Sequence, residues 1–410
     1  MNRIIVIGGG ISGFIAAINA KCANNEVIIL ERNDKVLKKL LLTGNGKCNY
    51  FNEDFNINHY YSDDFDLIRK YITQENKNKI LDFFDKLGIV PKIKNGYYYP
   101  YSNQAITIKN ALVKKTKKLG IEIKTNSFVE SIEKKNNIFY IDLDSETLRC
   151  DKLIISTGSK SYPNTGSDGN GYSLVSDLGH SVNKVLPSLT GLVCEGSYFK
   201  DLNGVRSEAV VSLFENGSLL KSELGELQFT NYGLSGICIF NLSSLVSKGL
   251  DKENEEIIHI NFLHGLGISE KGSLLNFLDE RSNISDYISI SELLDNLLNY
   301  KLTNVILKKC KISSDKLYNE LSDYDKNNLC DSLLDFKVKV IKTNDFVNAQ
   351  TCIGGVPLSE VDKHFESKIV SNLYITGEVL DISGDCGGYN ISFATLSGII
   401  AGTSAGGHND

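Results

Sequence analysis

Apolar and polar positions along this chain fall into three regimes. In the first, unbroken aliphatic runs end in glycine or an acid. Arg3-Ile4-Ile5-Val6-Ile7 runs into Gly8-Gly9-Gly10-Ile11-Ser12-Gly13, and Glu26-Val27-Ile28-Ile29-Leu30 ends at Glu31. Lys152 to Ile155 leads to Thr157-Gly158, and Leu373-Tyr374-Ile375 leads to Gly377-Glu378. Runs apolar on both faces are strands of a buried parallel sheet. Helical spacing predicts helices from Ile15 to Ala20, over 64–87 up to Gly88, over 104–119 up to Gly120, up to Leu178 with Gly179 as its cap, and from Ile391 to Gly402. Asn95-Gly96 predicts a hairpin turn into the aromatic strand Tyr97-Tyr98-Tyr99-Pro100-Tyr101, which lines a pocket or packs as core. Residues 127–148 read as a β-meander.

From about 190 the second regime begins: short strands between glycine and asparagine turns, among them Leu192–Glu195, Ala209–Phe214 and Glu226–Thr230. The third, residues 273–335, has Leu-rich helical faces with charged flanks. These regimes predict an α/β fold in four stretches: 1–189, a β-rich insert at 190–265, a helical subdomain at 266–340, and a return to the first domain at 341–410.

The glycine turn carries the first chemistry. Gly8 permits the sharp bend, Gly10 lets backbone amides approach a pyrophosphate, and Gly13 lets helix pack on strand. The pyrophosphate then meets the positive end of a helix dipole, beside Ile11 and Ser12. Glu31 lies about 20 residues on, where an acid reaches ribose hydroxyls. It favours FAD or NAD over NADP, against the adjacent Arg32. A polar loop holding Gly44, Gly46, Lys47, Cys48 and Asn49 is a further candidate cofactor contact, as are Thr157 and Gly158. A flavin needs a carboxylate for its ribityl hydroxyls and a helix N-terminus for the charge that its pyrimidine end gains on reduction. Glu378, with Asp381, supplies the first. The helix start at Gly387-Gly388, with Asn390 and Ile391, supplies the second.

Composition narrows the partners. The chain has 410 residues, net charge −6, 41% hydrophobic and 23% charged residues. That is an ordinary globular composition, poor in the basic runs that nucleic-acid binding needs. No apolar run reaches the roughly 18 residues that a membrane span requires. Nine cysteines without a CxxC pair imply neither a disulfide framework nor a zinc site, and fit a reducing cytoplasm. Expected partners are a small organic substrate and no nucleic acid, membrane or metal; the oligomeric state is open.

These motifs, with Tyr162-Pro163-Asn164-Thr165-Gly166, Gly225 to Thr230, Gly354-Gly355-Val356 and Gly387-Gly388-Tyr389-Asn390, together resemble the glutathione-reductase-like FAD-dependent oxidoreductases. More closely, the chain resembles the HI0933-like (BaiN-like, aminoacetone oxidase-like) flavoproteins. The resemblance implies a Rossmann-like FAD-binding domain with an inserted β-barrel-like domain and a small helical subdomain. It places Val129 among the cofactor contacts. It implies reduction of an enoyl or steroid-like substrate or oxidation of an amine. The chain has no second strand–GxGxxG–helix with an acidic partner, so NADH or NADPH, if used, is expected to visit the same flavin face as the substrate. The chain departs from the family pattern at Asn231, where relatives carry His, at Cys386, where Thr is usual, and at Lys47, where Arg is usual. Candidate acid–base residues are Tyr389, Lys47 and Tyr162. Glu53 stands where a redox-active thiol partner of Cys48 would be, which argues against disulfide reduction; a Cys48–Cys386 pair stays conceivable. Two other classes remain: a flavin-dependent tRNA-modifying enzyme and a non-catalytic FAD-binding protein.

Overall fold

A computed structural model describes residues 2–284 and 288–407. The chain divides into two compact units, one built from residues 1–186 and 349–410, the other from 187–348.

The first unit centres on a five-stranded parallel sheet. Its order is Leu373–Ile375, Lys152–Ile155, Asn2–Ile7, Asn25–Leu30, Glu122–Lys124. Val6 pairs with Ile29 on one side and Ile154 on the other. Ile4, Ile5, Val6, Ile28, Ile29 and Ile154 are inaccessible to solvent, as expected of a strand covered on both faces. Helix Ile11–Ala20 packs against the long helix Tyr389–Gly406. Small residues allow the approach: a Cβ on Gly398 would sit 2.7 Å from the carbonyl oxygen of Ser12, and one on Gly402 would overlap that of Ala16. A meander of Val129–Lys135, Ile138–Leu143 and Thr147–Cys150 follows the fifth strand. A smaller sheet, ordered Phe51–Asn52, Tyr97–Pro100, Pro91–Lys94, is joined at the Asn95-Gly96 hairpin, both of whose residues have positive φ.

The predicted helix over 64–87 is two. A single turn, Phe65–Ile68, is separated from Gln74–Lys86, because Thr73 is extended and its side chain accepts from the Asn76 amide, opening a new helix.

The second unit is a closed six-stranded barrel. Its order is Leu192–Cys194, Gly233–Ser235, Ser218–Thr230, Arg206–Glu215, Glu256–Asn261, Phe336–Thr343, with the last strand pairing with the first. Helices Lys271–Ser282, Ile290–Asp295, Tyr300–Cys310 and Asp323–Leu334 share one apolar core with it. The β-rich and helical segments therefore lie in one unit. Two features depart from expectation. A 15-residue helix, Ile237–Asp251, sits inside the segment read as β-rich, burying Cys238, Ile239, Leu242 and Val246 along one face. The strand Phe336–Thr343 crosses the expected boundary at 340/341; Phe336, Val338 and Val340 point into the barrel and Lys337 and Lys339 outward. Helix expected at residues 285–287 lies outside the described residues. Among the described residues, no helix is long and apolar enough to cross a membrane.

Candidate active site

The carboxyl ends of the central parallel strands form one edge of the sheet, where open α/β folds bind ligands. Gly8, at φ +111°, turns the chain there, and a Cβ on Gly13 would overlap the Gly8 carbonyl. These two glycines are required by the fold itself. Gly10 is different. Its backbone (φ −82°, ψ −178°) suits any residue, and a Cβ there would meet nothing within 4 Å. Helix Ile11–Ala20 makes its first bond from the Phe14 amide to the Gly10 carbonyl at 3.0 Å, so the amides of Ile11, Ser12 and Gly13 have no acceptor within the helix. The Ser12 hydroxyl is buried without a partner.

Glu31, 8% exposed, follows the strand Asn25–Leu30 on this edge. One carboxylate oxygen accepts from the Gly9 amide at 2.9 Å, the other from the Asn33 amide and side chain at 2.8 and 2.7 Å. Arg32 is neutralised by Asp168 at 2.6 Å and lies over the Phe128 ring. It is committed to the Ser161–Gly171 loop, so it is not a free cation for a 2′-phosphate. Val129 is buried at the start of the meander, two residues beyond Ser127, whose amide donates to the Glu31 carbonyl.

Midway along the edge, Lys39 Nζ lies 2.6 Å from Glu378 Oε2 and 2.6 Å from the Ser161 hydroxyl. Ser159 donates to the same carboxylate oxygen at 3.2 Å. Gly377, at φ +69°, brings that segment against Ser12: a Cβ would lie 3.0 Å from Ser12 Cβ. Thr157 Oγ1 is buried and unpartnered beside Gly158, which has φ +77°. Tyr162 is half-buried at φ +53°, in the loop between Ser161 and Thr165, and burial raises its pKa.

At the far end, Gly44, Asn45, Gly46 and Cys48 all have positive φ, curling the backbone of this loop. Asn49 Oδ1 is buried and unpartnered, 2.9 Å from where a Gly388 Cβ would be. Gly388 (φ +98°) opens helix Tyr389–Gly406, whose first bond runs from the Ser392 amide to the Gly388 carbonyl. The amides of Asn390 and Ile391 thus have no acceptor within the helix. Asn52 donates to the Gly387 carbonyl at 3.1 Å. Strand Tyr97–Pro100 alternates over this turn. Tyr98 faces the core, edge-on to Phe51, while Tyr97 Cε1 lies 2.8 Å from a Gly387 Cβ position and Tyr99 Cε1 3.7 Å from a Gly44 Cβ position. Burial, then the neighbouring Tyr97 and Cys386, raise the Tyr99 pKa, so its hydroxyl keeps its proton at neutral pH.

Several expected contacts have other roles. Asp381 is fully buried, and its carboxylate accepts from the amides of Gly354 and Asp63 at 3.0 Å each and from Asn183 at 2.9 Å. It ties the strands that hold Asn183 and Gly354 to the segment at Asp63, and its carboxylate is occupied by these donors. Tyr389 is only 4% exposed, stacked on His59 at 4.4 Å and edge-on to Tyr60, so its ring is packing and not an open acid. The Asn390 side chain is spent on both backbone groups of Gly384 at 2.8 Å; its amide alone faces outward. Lys47 is exposed. Cys48 is wholly buried and burial pushes its thiol up to about 12, while Cys386 rises to about 11. Two protonated thiols do not support redox pairing at neutral pH.

Three orphaned polar atoms (Ser12 Oγ, Thr157 Oγ1, Asn49 Oδ1) and two helix starts come from segments far apart in the sequence. A buried polar atom without a partner carries a desolvation penalty that a ligand relieves. A long molecule with a pyrophosphate in the middle and a polar ring at the end fits this donor set.

Over residues 2–404 the chain matches the family described as HI0933-like protein Rossmann domain. It belongs to that family. The 3-dehydro-bile acid delta(4,6)-reductase of Clostridium scindens is 34% identical over 409 residues, 99% of each chain. A ribosomal RNA dihydrouridine synthase of Escherichia coli is 28% identical over 96% of this chain and 95% of its own. The fold is shared with the 3-ketosteroid-delta4-(5alpha)-dehydrogenase of Rhodococcus jostii, at TM-score 0.51, 12% identity and coverage of 99% and 97%. The protein is an FAD-dependent oxidoreductase of this HI0933-like family.

Sequence reasoning passed over Lys39, Ser159, Ser161 and the cluster around His59. That imidazole lies 3.0 Å from Asp385 and 2.9 Å from Asp54, and Tyr61 donates to Asp385 at 2.8 Å. Only Lys39 had a local signal, and it was masked by the identical residues Lys35 and Lys38 in the same run.

Proposed function

We propose that this protein reduces a carbon–carbon double bond conjugated to a carbonyl in a small organic substrate, with NADH or NADPH and the substrate meeting one FAD site in turn. When bound, the flavin would supply hydride transfer between the nicotinamide and the alkene. Backbone amides of Ile11, Ser12 and Gly13 and the Ser12 hydroxyl would hold the pyrophosphate, Glu31 the ribose, and the Lys39-supported Glu378 the ribityl chain. The helix start at Asn390 and Ile391 stabilises charge at the pyrimidine end. The loop from Gly44 to Asn49, with Thr157 and Gly158, would add further contacts.

The observation that carries this reading is the pair Tyr97 and Tyr99 on one strand face, Tyr97 against Gly387 and Tyr99 against Gly44. A hydride added to one alkene carbon requires a proton at the other. A tyrosine that stays protonated supplies it, and Tyr99 is best placed. The relatives' names agree with this chemistry: one is a reductase of a 3-dehydro-bile acid, and another forms dihydrouridine, which is uridine with its ring double bond saturated. The second unit is an antiparallel barrel with helices, a different architecture from a nicotinamide-binding parallel sheet. Net charge −6 favours a small molecule over RNA, and nine free cysteines favour a reducing cytoplasm.

The test is anaerobic reduction of the bound flavin by NADH or NADPH, then reoxidation by a planar 3-oxo-4-ene steroid. Stoichiometric reoxidation with loss of the enone absorbance supports the reading. Reoxidation by oxygen alone contradicts it.

A further inference from the structure

The tyrosine face over the Gly387-Gly388 turn extends across the next strand. In the ladder of Tyr97–Pro100 with Pro91–Lys94, Lys92 stands directly opposite Tyr99 and Lys94 directly opposite Tyr97. Directly opposed residues share a face of the sheet, with Cβ atoms about 5 Å apart. The same parity puts Ile93 with Tyr98 on the reverse face. Asn52, opposite Tyr97, completes the near face. Both lysines are exposed, and among the described residues neither makes an ion pair. Glu53, beside this hairpin, acts on Tyr98 of the reverse face. The near face therefore has an aromatic floor by the flavin turn and two unneutralised cations at its outer edge, on a chain of net charge −6.

We propose that Lys92 and Lys94 anchor an anionic group, a carboxylate or phosphate, at the far end of the substrate, while its conjugated ring system lies against Tyr97 and Tyr99. This rests on the enone-reductase reading above. The favoured substrate class is a flat apolar molecule with an enone at one end and an acid at the other. Lysines on an edge strand also block edge-to-edge pairing, but that role is indifferent to the charge of a ligand.

The experiment uses the FAD-loaded protein and the double variant Lys92→Ala/Lys94→Ala, both exposed positions that the fold does not need. The probes are a 3-oxo-4-ene steroid with a carboxylate side chain and its methyl ester. The double variant raises KM for the acid about three- to tenfold, the range for two exposed ion pairs, with kcat held, and moves KM for the ester by less than half as much. In the wild type, 0.5 M salt raises the acid's KM toward that of the variant. Equal effects on acid and ester, or none on the acid, overturn the proposal. If the wild type reduces neither probe, the enone reading falls. Perturbation of the oxidised flavin spectrum by the saturated 3-oxo acid and its ester then decides the lysines separately, by the same pattern of affinities. Loss of affinity for a uridine-rich RNA oligonucleotide in the variant, with acid binding unchanged, overturns the proposal in favour of a polynucleotide.

Discussion

Lys39 and Glu378, 339 residues apart in sequence, meet at 2.6 Å on the carboxyl edge of the parallel sheet, each about one-fifth exposed. The pair joins the segment that follows the second strand to the one that follows the last. Removing the cation leaves a mostly buried carboxylate with the Ser159 hydroxyl as its remaining hydrogen-bond donor among the described residues. Lys39→Ala is therefore expected to weaken FAD about tenfold, since partly screened pairs of this kind contribute about 1–2 kcal/mol. Flavin fluorescence recovered on dilution measures the loss. Glu378→Gln, which keeps the shape without the charge, loses less.

Tyr99→Phe is expected to slow enone reduction at least about tenfold with FAD still bound, as loss of a proton donor does. Tyr389→Phe is expected to stay within about threefold of wild type, because that ring is packed on His59 and Tyr60. Single-turnover reoxidation of the reduced protein separates the two.

Glu256 and Glu215 face each other across the barrel ladder, with Glu256 1% exposed. Burial, then the neighbouring carboxylate, raises Glu256 from its ordinary 4.5 to about 8. Between those values the folded state binds a proton that the unfolded chain does not, so stability falls as pH rises. The melting temperature of the second unit is expected to drop steadily from pH 5 to pH 9, and Glu256→Gln to flatten that slope. Thermal melts across the range measure it.

His59 behaves in the same direction for a different reason. Its hydrogen bond to Asp385, and secondarily that to Asp54, raise its pKa above 6.5. Its contribution is complete below about 6.5 and is lost as pH rises through the raised value. The gap in melting temperature between wild type and His59→Gln is expected to be about 3 °C at pH 5.5 and to close at alkaline pH, which differential scanning calorimetry reads.

Much of the first unit could be read from the chain, because strands buried on both faces and the glycines between them are local signals. Gly8, Gly13 and Glu31 are set by strand ends within about 30 residues of each other. Lys39 was not legible, since its partner lies across the whole chain. Asp381, in the segment after Gly377-Glu378, looked like a cofactor ligand, but three donors from distant segments, the amides of Gly354 and Asp63 and the Asn183 side chain, claim its carboxylate, and no local pattern shows them. Helix Ile237–Asp251 was hidden by serines on its buried face: Ser243, Ser244 and Ser247 are all inside, and Ser247 donates to the Pro187 carbonyl. Tyr97 and Tyr99 were visible as an aromatic run, but which of the three tyrosines face the site depends on the strand's register.

The account rests on FAD lying across the open space at Gly10. A methyl group there meets no protein atom and suits the backbone, yet it would occupy the path of the pyrophosphate. The decisive measurement is FAD titration of wild type and Gly10→Ala, with the melting temperature of each apoprotein. One FAD per wild-type chain, and none for a variant that melts at the same temperature, is the predicted result. A Gly10→Ala protein that takes up FAD as tightly as wild type would contradict it.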